Sequence, residues 1–396
     1  MLLLAVLVVS SCGSSHRATT TQADTIQQTE SIQTGTTQHA ETSQTGGAVY
    51  SHLAFVSARS GAVSHISDLD LQSAVADGKG GWFVSGDFGL ARLLPDGKLD
   101  STWGTRKPSK VKICAPLVKS GSRLYLASWR VSAAPARGTA PQNSTTGDAN
   151  GTCVIEAFDA ATGRLLWIGT QPSPGSLISV LAASSTHVYA GGDFRSVGNS
   201  ERQGLAAFDA KTGRLLDWRT PRFHFETPAS PHISALTFAG SRLYVGGVFD
   251  AVGGRRQYYL TALDPSTGAL LSSKTPKAAA FTRYYPLQIL VTHGEIIVPG
   301  YDGFAATSLR TGQELAWSSD ASTVATDGKL LYLGGNLERT LGPADDTSSN
   351  LAALNLKTQN YTSWAPDLGF KFVDVGEIVP SGKQVLVVGD FTNSIG

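Results

Sequence analysis

After residue 49 the chain repeats itself at a period of about fifty residues, and this self-similarity restricts its fold more than any other property. One copy, from Ile178, reads ISVLAASSTHVYAGGDFRSVGNSERQGLAAFDAKTGRLLDWRTP; the next, from Ile233, reads ISALTFAGSRLYVGGVFDAVGGRRQYYLTALDPSTGALLSSKTP. Each parses into four alternating apolar runs, in the first copy near 178–183, 187–191, 205–209 and 214–218. Thr212-Gly213 and Thr267-Gly268 are the turns between the last two runs. A four-stranded sheet of this kind cannot cover both of its faces alone. Neighbouring copies must therefore stack, and radial stacking of such sheets gives a β-propeller.

Weaker copies at 71–104, 111–172, 286–320 and 321–367 complete six units. The two ends of the chain each carry half a unit. QVLVVGDFTNSIG supplies the first two strands of a blade, and SHLAFVSARSGAV supplies the last two. The expectation is an all-β chain: one propeller domain over 49–396, with seven four-stranded blades and the seventh built from both ends. An eight-bladed ring is the alternative. Closure of this kind removes the sheet edges that invite aggregation. Trp103, Trp167, Trp218, Trp317 and Trp364 recur just after the turn between the last two strands, where a large ring can pack on the next blade. Asp159, Gly163 and Trp167 form one structural set, and Asp209, Gly213 and Trp218 another; the aspartates are turn chemistry, as are Asp87, Asp193 and Asp264.

The first twelve residues are different in kind. Leu2 to Val9 is an apolar run too short to span a bilayer but suited to the core of a signal peptide. Val9-Ser10-Ser11-Cys12 resembles a bacterial lipobox, which implies diacylation of the Cys12 sulfur; no Lys or Arg stands before the run. Residues 13–48 are Ser, Thr, Gln, Gly and Ala with few large apolar groups, the composition of a disordered tether. An extracytoplasmic, lipid-anchored protein is therefore expected.

A formal charge of +1 argues against a nucleic-acid or polyanion binder, which needs a basic face, although a neutral total still leaves room for a local patch. Three cysteines in 396 residues exclude a disulfide scaffold. Cys114 opens the first strand of its blade and Cys153 the third, so both lie at the same face, and a disulfide between them is one reading. Two free buried thiols is the other.

Two repeat families are similar to this pattern. Ala157-Phe158-Asp159 through Thr162-Gly163 to Trp167 resembles the tryptophan-docking motif of pyrroloquinoline-quinone (PQQ) propellers, and 207–218 and 306–317 are similar. The segments at 191–198 and 246–254 resemble the delta-sixty class of bacterial surface propeller repeats. The first resemblance implies a quinoprotein dehydrogenase only where adjacent cysteines and an acidic calcium site exist, and this chain has no adjacent cysteines. No cofactor is expected. BamB-type lipoproteins of outer-membrane assembly are non-enzymatic relatives of that group.

No metalloprotease, nucleophile-elbow, paired-cysteine or phosphate-loop motif occurs, and no catalytic residue or metal site is assigned. The stretch from Asp68 to Gly81 lacks the ligand spacing of a calcium loop. His224, Glu226 and His232 sit in an irregular connector that is a candidate rim loop. The insertions at 130–151 and 339–350 both fall between second and third strands, and so decorate one face. The expected function is a binding module for a protein, glycan or envelope component, reaching the membrane through its anchor. A channel-site enzyme of PQQ or other type, and an envelope-assembly scaffold, are the alternatives.

Overall fold

The computed structural model describes residues 52–104, 112–131, 151–226, 231–271, 286–300, 303–313, 321–335, 337, 350–370 and 372–392. Cys12, Trp317 and most of both insertions lie outside them. The described residues are all β. β1 (His52–Ser57) and β2 (Val63–Ser67) come first. β3 (Ser73–Ala76), β4 (Trp82–Gly86) and β5 (Gly89–Leu93) form one sheet. β6 (Ile113–Ser120), β7 (Arg123–Val131), β8 (Gly151–Asp159) and β9 (Leu165–Ile168) form the next. β10 (Leu177–Ala183) and β11 (His187–Asp193) are followed by a small hairpin, β12 (Ser196–Val197) and β13 (Ser200–Glu201), before β14 (Leu205–Asp209) completes their sheet.

β15 (Phe223–His224) precedes β16 (His232–Ala239) and β17 (Arg242–Val248). A second hairpin, β18 (Ala251–Val252) and β19 (Arg255–Arg256), then leads to β20 (Leu260–Leu263). β21 (Leu290–Thr292), β22 (Glu295–Gly300) and β23 (Gly303–Ser308) make a sheet, as do β24 (Ala321–Thr326), β25 (Leu330–Gly335) and β26 (Leu351–Asn355). β27 (Phe372–Ser381) and β28 (Gln384–Thr392) end the described chain.

The two ends meet in one sheet of order β2-β1-β28-β27. β1 and β28 are antiparallel over six pairs, from His52↔Gly389 to Ser57↔Gln384. The alternation of β1 explains why the seam holds: Leu53 and Phe55 pack with Trp82 and Val84, whereas Ala54 and Val56 pack with Tyr332 and Trp364. Both faces of the composite sheet are thereby buried, one against each neighbour. The first strands touch in the cycle β27, β3, β6, β10, β16, β21, β24 and back to β27. This is a β-propeller.

Two details differ from the sequence reading. QVLVVGDFTNSIG contains only the second strand of the composite sheet; the first is Phe372–Ser381, upstream of it. Four full strands occur in only two of the seven larger sheets among the described residues. The run near 214–218 is not a ladder: Leu215, Leu270 and Tyr361 each make a single bridge to the third strand. In the units of Leu215 and Tyr361 a Trp, Trp218 or Trp364, follows the bridge within three residues.

The docking of Trp on the next sheet is chemically uniform. The Trp103 indole N–H donates to the Ala160 carbonyl (2.9 Å), Trp167 to Ala210 (3.2 Å) and Trp364 to Ser57 (2.9 Å), each acceptor at the turn of the following sheet. An aromatic ring from the second strand backs each Trp, as in Tyr332–Trp364 at 4.9 Å and Phe83–Trp103 at 5.2 Å. The turn glycine receives the ring: at Gly213, φ is 71°, and a Cβ would collide with Trp167. Asp209 Oδ1 shapes the same turn by accepting the Thr212 N–H and hydroxyl, both at 2.7 Å. Asp159 does the same with Thr162, and these bonds hold the carboxyls of both aspartates below the ordinary value.

Trp218 is the exception. It is 3% exposed, yet its indole N–H finds no acceptor, and Pro265 stands where the turns that receive Trp103 and Trp167 offer an alanine carbonyl. That carbonyl is taken by the Tyr189 hydroxyl (2.9 Å). Trp103→Phe and Trp364→Phe should therefore each cost about 1 kcal/mol more in urea unfolding than Trp218→Phe, which removes an unpaired N–H. Equal losses at all three positions would contradict the docking account.

Candidate binding face

In every sheet the first strand begins, and the second ends, at the same face of the ring. The repeated Gly-Asp-Phe signature lies there. A Cβ on Gly86, Gly192, Gly247 or Gly389 would strike the carbonyl oxygen of Asp70, Leu177, His232 or Asp374, the residue beside the start of the first strand. Where a second glycine precedes it, at Gly191 and Gly246, that residue serves the neighbour instead: a Cβ on Gly191 would stand 2.6 Å from the Ile233 side chain. Glycine at these two positions lets the sheets converge. It also leaves Asp87, Asp193 and Asp390 exposed along the face.

Five first strands bulge near their starts. The skipped residues are Cys114, Ser179, Ser234, Ser322 and Gly376. A bulge re-aims the side chain it carries. For Cys114 the consequence is covalent: it is bonded to Cys153, with Cα atoms 6.1 Å apart, although β7 separates their strands. Both cysteines are buried. Beside them Glu156 accepts from the Ser128 hydroxyl (2.9 Å) and pairs with Arg130 (Nε, 2.6 Å) at the base of the 130–151 insertion. Lys112 lies 5.5 Å over the Trp129 ring.

Because first strands do not pair with one another, side chains satisfy their backbone across the gaps. Ser73 Oγ accepts the Leu117 N–H (3.0 Å), Gln288 accepts from Val324 (3.3 Å), and Ser234 donates to the Pro286 carbonyl (2.6 Å). At the seam the same role falls to a carboxyl: Glu377 accepts the Ala74 N–H at 2.8 Å. Part of its surface stays accessible, but it sits deep among protein atoms. Desolvation pushes its pKa up to about 8 against the bonds from Ala74 and Ser73. Asp374 is also raised, by burial first and then by Asp390, which it faces across the ladder. Burial lowers His232, with Asp193 opposing.

Sequence reasoning missed both Glu377 and the small sheets. Gly198-Asn199 and Gly253-Gly254 were the available signals: each is a two-residue turn with positive φ at its first glycine, between short strands. In the second small sheet the order is β15-β18-β19. Its connector, the expected rim loop, is tied down by His224 Nδ1 to Asp250 Oδ1 (2.9 Å) and by the Glu226 N–H to Asp250 Oδ2 (2.6 Å). His232 lies apart, in β16. Among the described residues, no group of three or more His, Cys, Asp or Glu is arranged to hold a metal.

A β-propeller family described as a domain of unknown function (DUF5122) matches residues 76–102. That stretch encloses a complete ion-pair network. Arg92 bridges Asp77 (2.6 Å) and Asp100 (3.1 Å), and Asp77 also accepts the Lys79 and Gly81 amides. Burial disfavours the Asp77 charge, but Arg92 and the two amides outweigh it and hold its carboxyl below the ordinary value. No curated protein matches the chain in sequence. Among solved structures, one titled as the mitotic checkpoint complex is 11% identical with a TM-score of 0.49, covering 86% of this chain and 94% of its own. The computationally designed Ika4 protein is 15% identical with a TM-score of 0.33, covering 53% and 99%. Neither carries an argument about function.

Glu377 generates a pH prediction. Between the ordinary glutamate value of 4.5 and about 8, the unfolded chain has released this proton while the folded chain keeps it. Stability should therefore fall as pH rises through that window, and Glu377→Gln should remove this part of the fall. Denaturant unfolding at pH 5, 7 and 9 checks it: the advantage of the Gln variant should grow from pH 5 towards pH 8 and then level off. A pH-independent difference would contradict the assignment.

Proposed function

We propose that this chain is a binding module: a ring of seven blades, held outside the cytoplasm by a lipid on Cys12, that presents one decorated face to an envelope component. The observation that carries the reading is the one-sidedness of the elaboration. Both small sheets, the Gly-Asp-Phe aspartates and the base of the 130–151 insertion belong to the face where first strands begin. The opposite face consists of tight turns such as 209–213 and 326–329. Rigid blades that position variable loops are a common design for recognition. The Cys114–Cys153 bond suits an oxidising compartment. No cofactor is proposed.

A channel-site hydrolase is the second reading, and Asp374 favours it, since its raised pKa and facing Asp390 are the environment of a general acid. Glu377 does not add to it, because its carboxyl is used to cap Ala74.

Site-specific photocrosslinking in cells tests the module. A crosslinker at Asn199 or Gly254, the hairpin tips, should form adducts with one envelope component. One at Lys211 or Gly328, on the opposite face, should not. Adducts from the opposite face alone, or none from either, would contradict the proposal.

A further inference from the structure

The two small sheets are copies of one device, and the difference between them points to a ligand. In each, the connector entering a blade pairs with the hairpin between that blade's second and third strands. Pro172 bridges Val197 in one, and Phe223 pairs with Val252 in the other. The Gly198 N–H donates to the Gln171 carbonyl (2.8 Å), as the Gly253 N–H does to the Arg222 carbonyl (2.8 Å). Further along, the Arg202 N–H donates to Arg195 as the Gln257 N–H does to Asp250. The backbone correspondence is thus residue for residue.

The side chains on the outward face do not correspond. Alternation along the strands places Arg222, His224 and Arg256 on the same side, over Ala251 and Gly253; Phe223 and Val252 point inward and are buried. The matching positions of the first small sheet hold Gln171, Ser173 and Glu201. The scaffold alone therefore does not require three basic side chains. Arg222 and Arg256 have no carboxylate within ion-pair distance among the described residues, and both are exposed. Arg256 donates to the Tyr258 hydroxyl (3.2 Å).

The nearest carboxylates are accounted for. Asp250 is 13% exposed, and its two oxygens face the His224 ring and the Glu226 N–H, so its charge is turned inward and orients the imidazole. Glu226 is exposed at the end of the connector and opposes an anion. Backbone strain marks the same hairpin. Tyr259, at φ 57°, takes the left-handed position that Gly204 holds in the first copy, a conformation disfavoured for a residue with a Cβ.

We infer that the face formed by Arg222, His224 and Arg256 binds a phosphate group of the ligand. Two guanidinium forks supply donors for more oxygens than a carboxylate carries, with the His224 ring beside them, over a floor of small residues that leaves room for a tetrahedral group. The inference rests on the binding-module reading and names the chemistry of its ligand.

The first copy supplies the control variant. Arg222→Gln, His224→Ser and Arg256→Glu together install residues that the same backbone already carries in the sister sheet, so the fold should survive; the unchanged far-ultraviolet spectrum and melting temperature would verify this. Calorimetric titration of the full chain uses glycerol 1-phosphate as probe, with acetate as the carboxylate comparison. The wild type should bind the phosphate ester saturably and acetate at least about tenfold more weakly, and the triple variant should lose at least about tenfold in affinity. Glu226→Gln should tighten binding. No saturable binding by the wild type, or equal binding by the triple variant, would overturn the inference. Adducts at Gly254 with no phosphate binding would sink this inference alone; phosphate binding with no adducts would sink the module instead.

Discussion

The antiparallel ladder between His52–Ser57 and Gln384–Thr392 is the interaction on which the rest of the ring depends. Each sheet has two apolar faces and can bury them only against two neighbours. A linear stack would leave the outer faces of its two end sheets open to water and expose their edges. By pairing strands from opposite ends of the chain, the composite sheet supplies the missing neighbour on both sides: Leu53 and Phe55 for one, Ala54 and Val56 for the other. The cost is a loop closure that spans nearly the whole domain, which the cooperative burial of the other interfaces must offset.

The remaining interfaces solve a recurring geometric problem with few residue types. Sheets arranged radially crowd at the centre and splay at the rim. At the centre, paired glycines remove the side chains that would collide, bulges shorten the first strands, and Ser, Gln and Glu side chains cap backbone groups that no strand can reach. At the rim a Trp spans the wider gap to the next turn, where a glycine makes space for it. Glu377 belongs to the first group and Trp364 to the second, and both lie at the borders of the composite sheet.

These devices differ in how plainly the sequence shows them. The Asp159–Trp167 and Asp209–Trp218 runs were legible because a turn, a glycine and a large ring recur at fixed spacing. The closure was legible because each end carried half a unit, although the first strand of the composite sheet, Phe372–Ser381, was not separated from the second. The outer strands were over-read: Leu215 and Leu270 alternate like strand residues, but each makes only one bridge to the third strand. The two small sheets went unread because strands of two residues have no periodicity, leaving only their glycine turns as a signal. Glu377 was invisible for another reason. Its role depends on Ala74, some three hundred residues earlier in the chain, and no local pattern announces it. The disulfide stood between these cases, since Cys114 and Cys153 could be placed on one face but the bulge that carries Cys114 over β7 could not.

Native-state hydrogen exchange across the seam tests the central claim most directly. If the ladder between β1 and β28 holds the ring, its amides should exchange only through global unfolding, with the same free energy and denaturant dependence as the interior amides of β7 and β11. If β1 and β28 instead exchange together at a markedly lower free energy while the other sheets stay protected, the ring opens at the seam without unfolding. The ladder would then not be what the rest of the structure depends on.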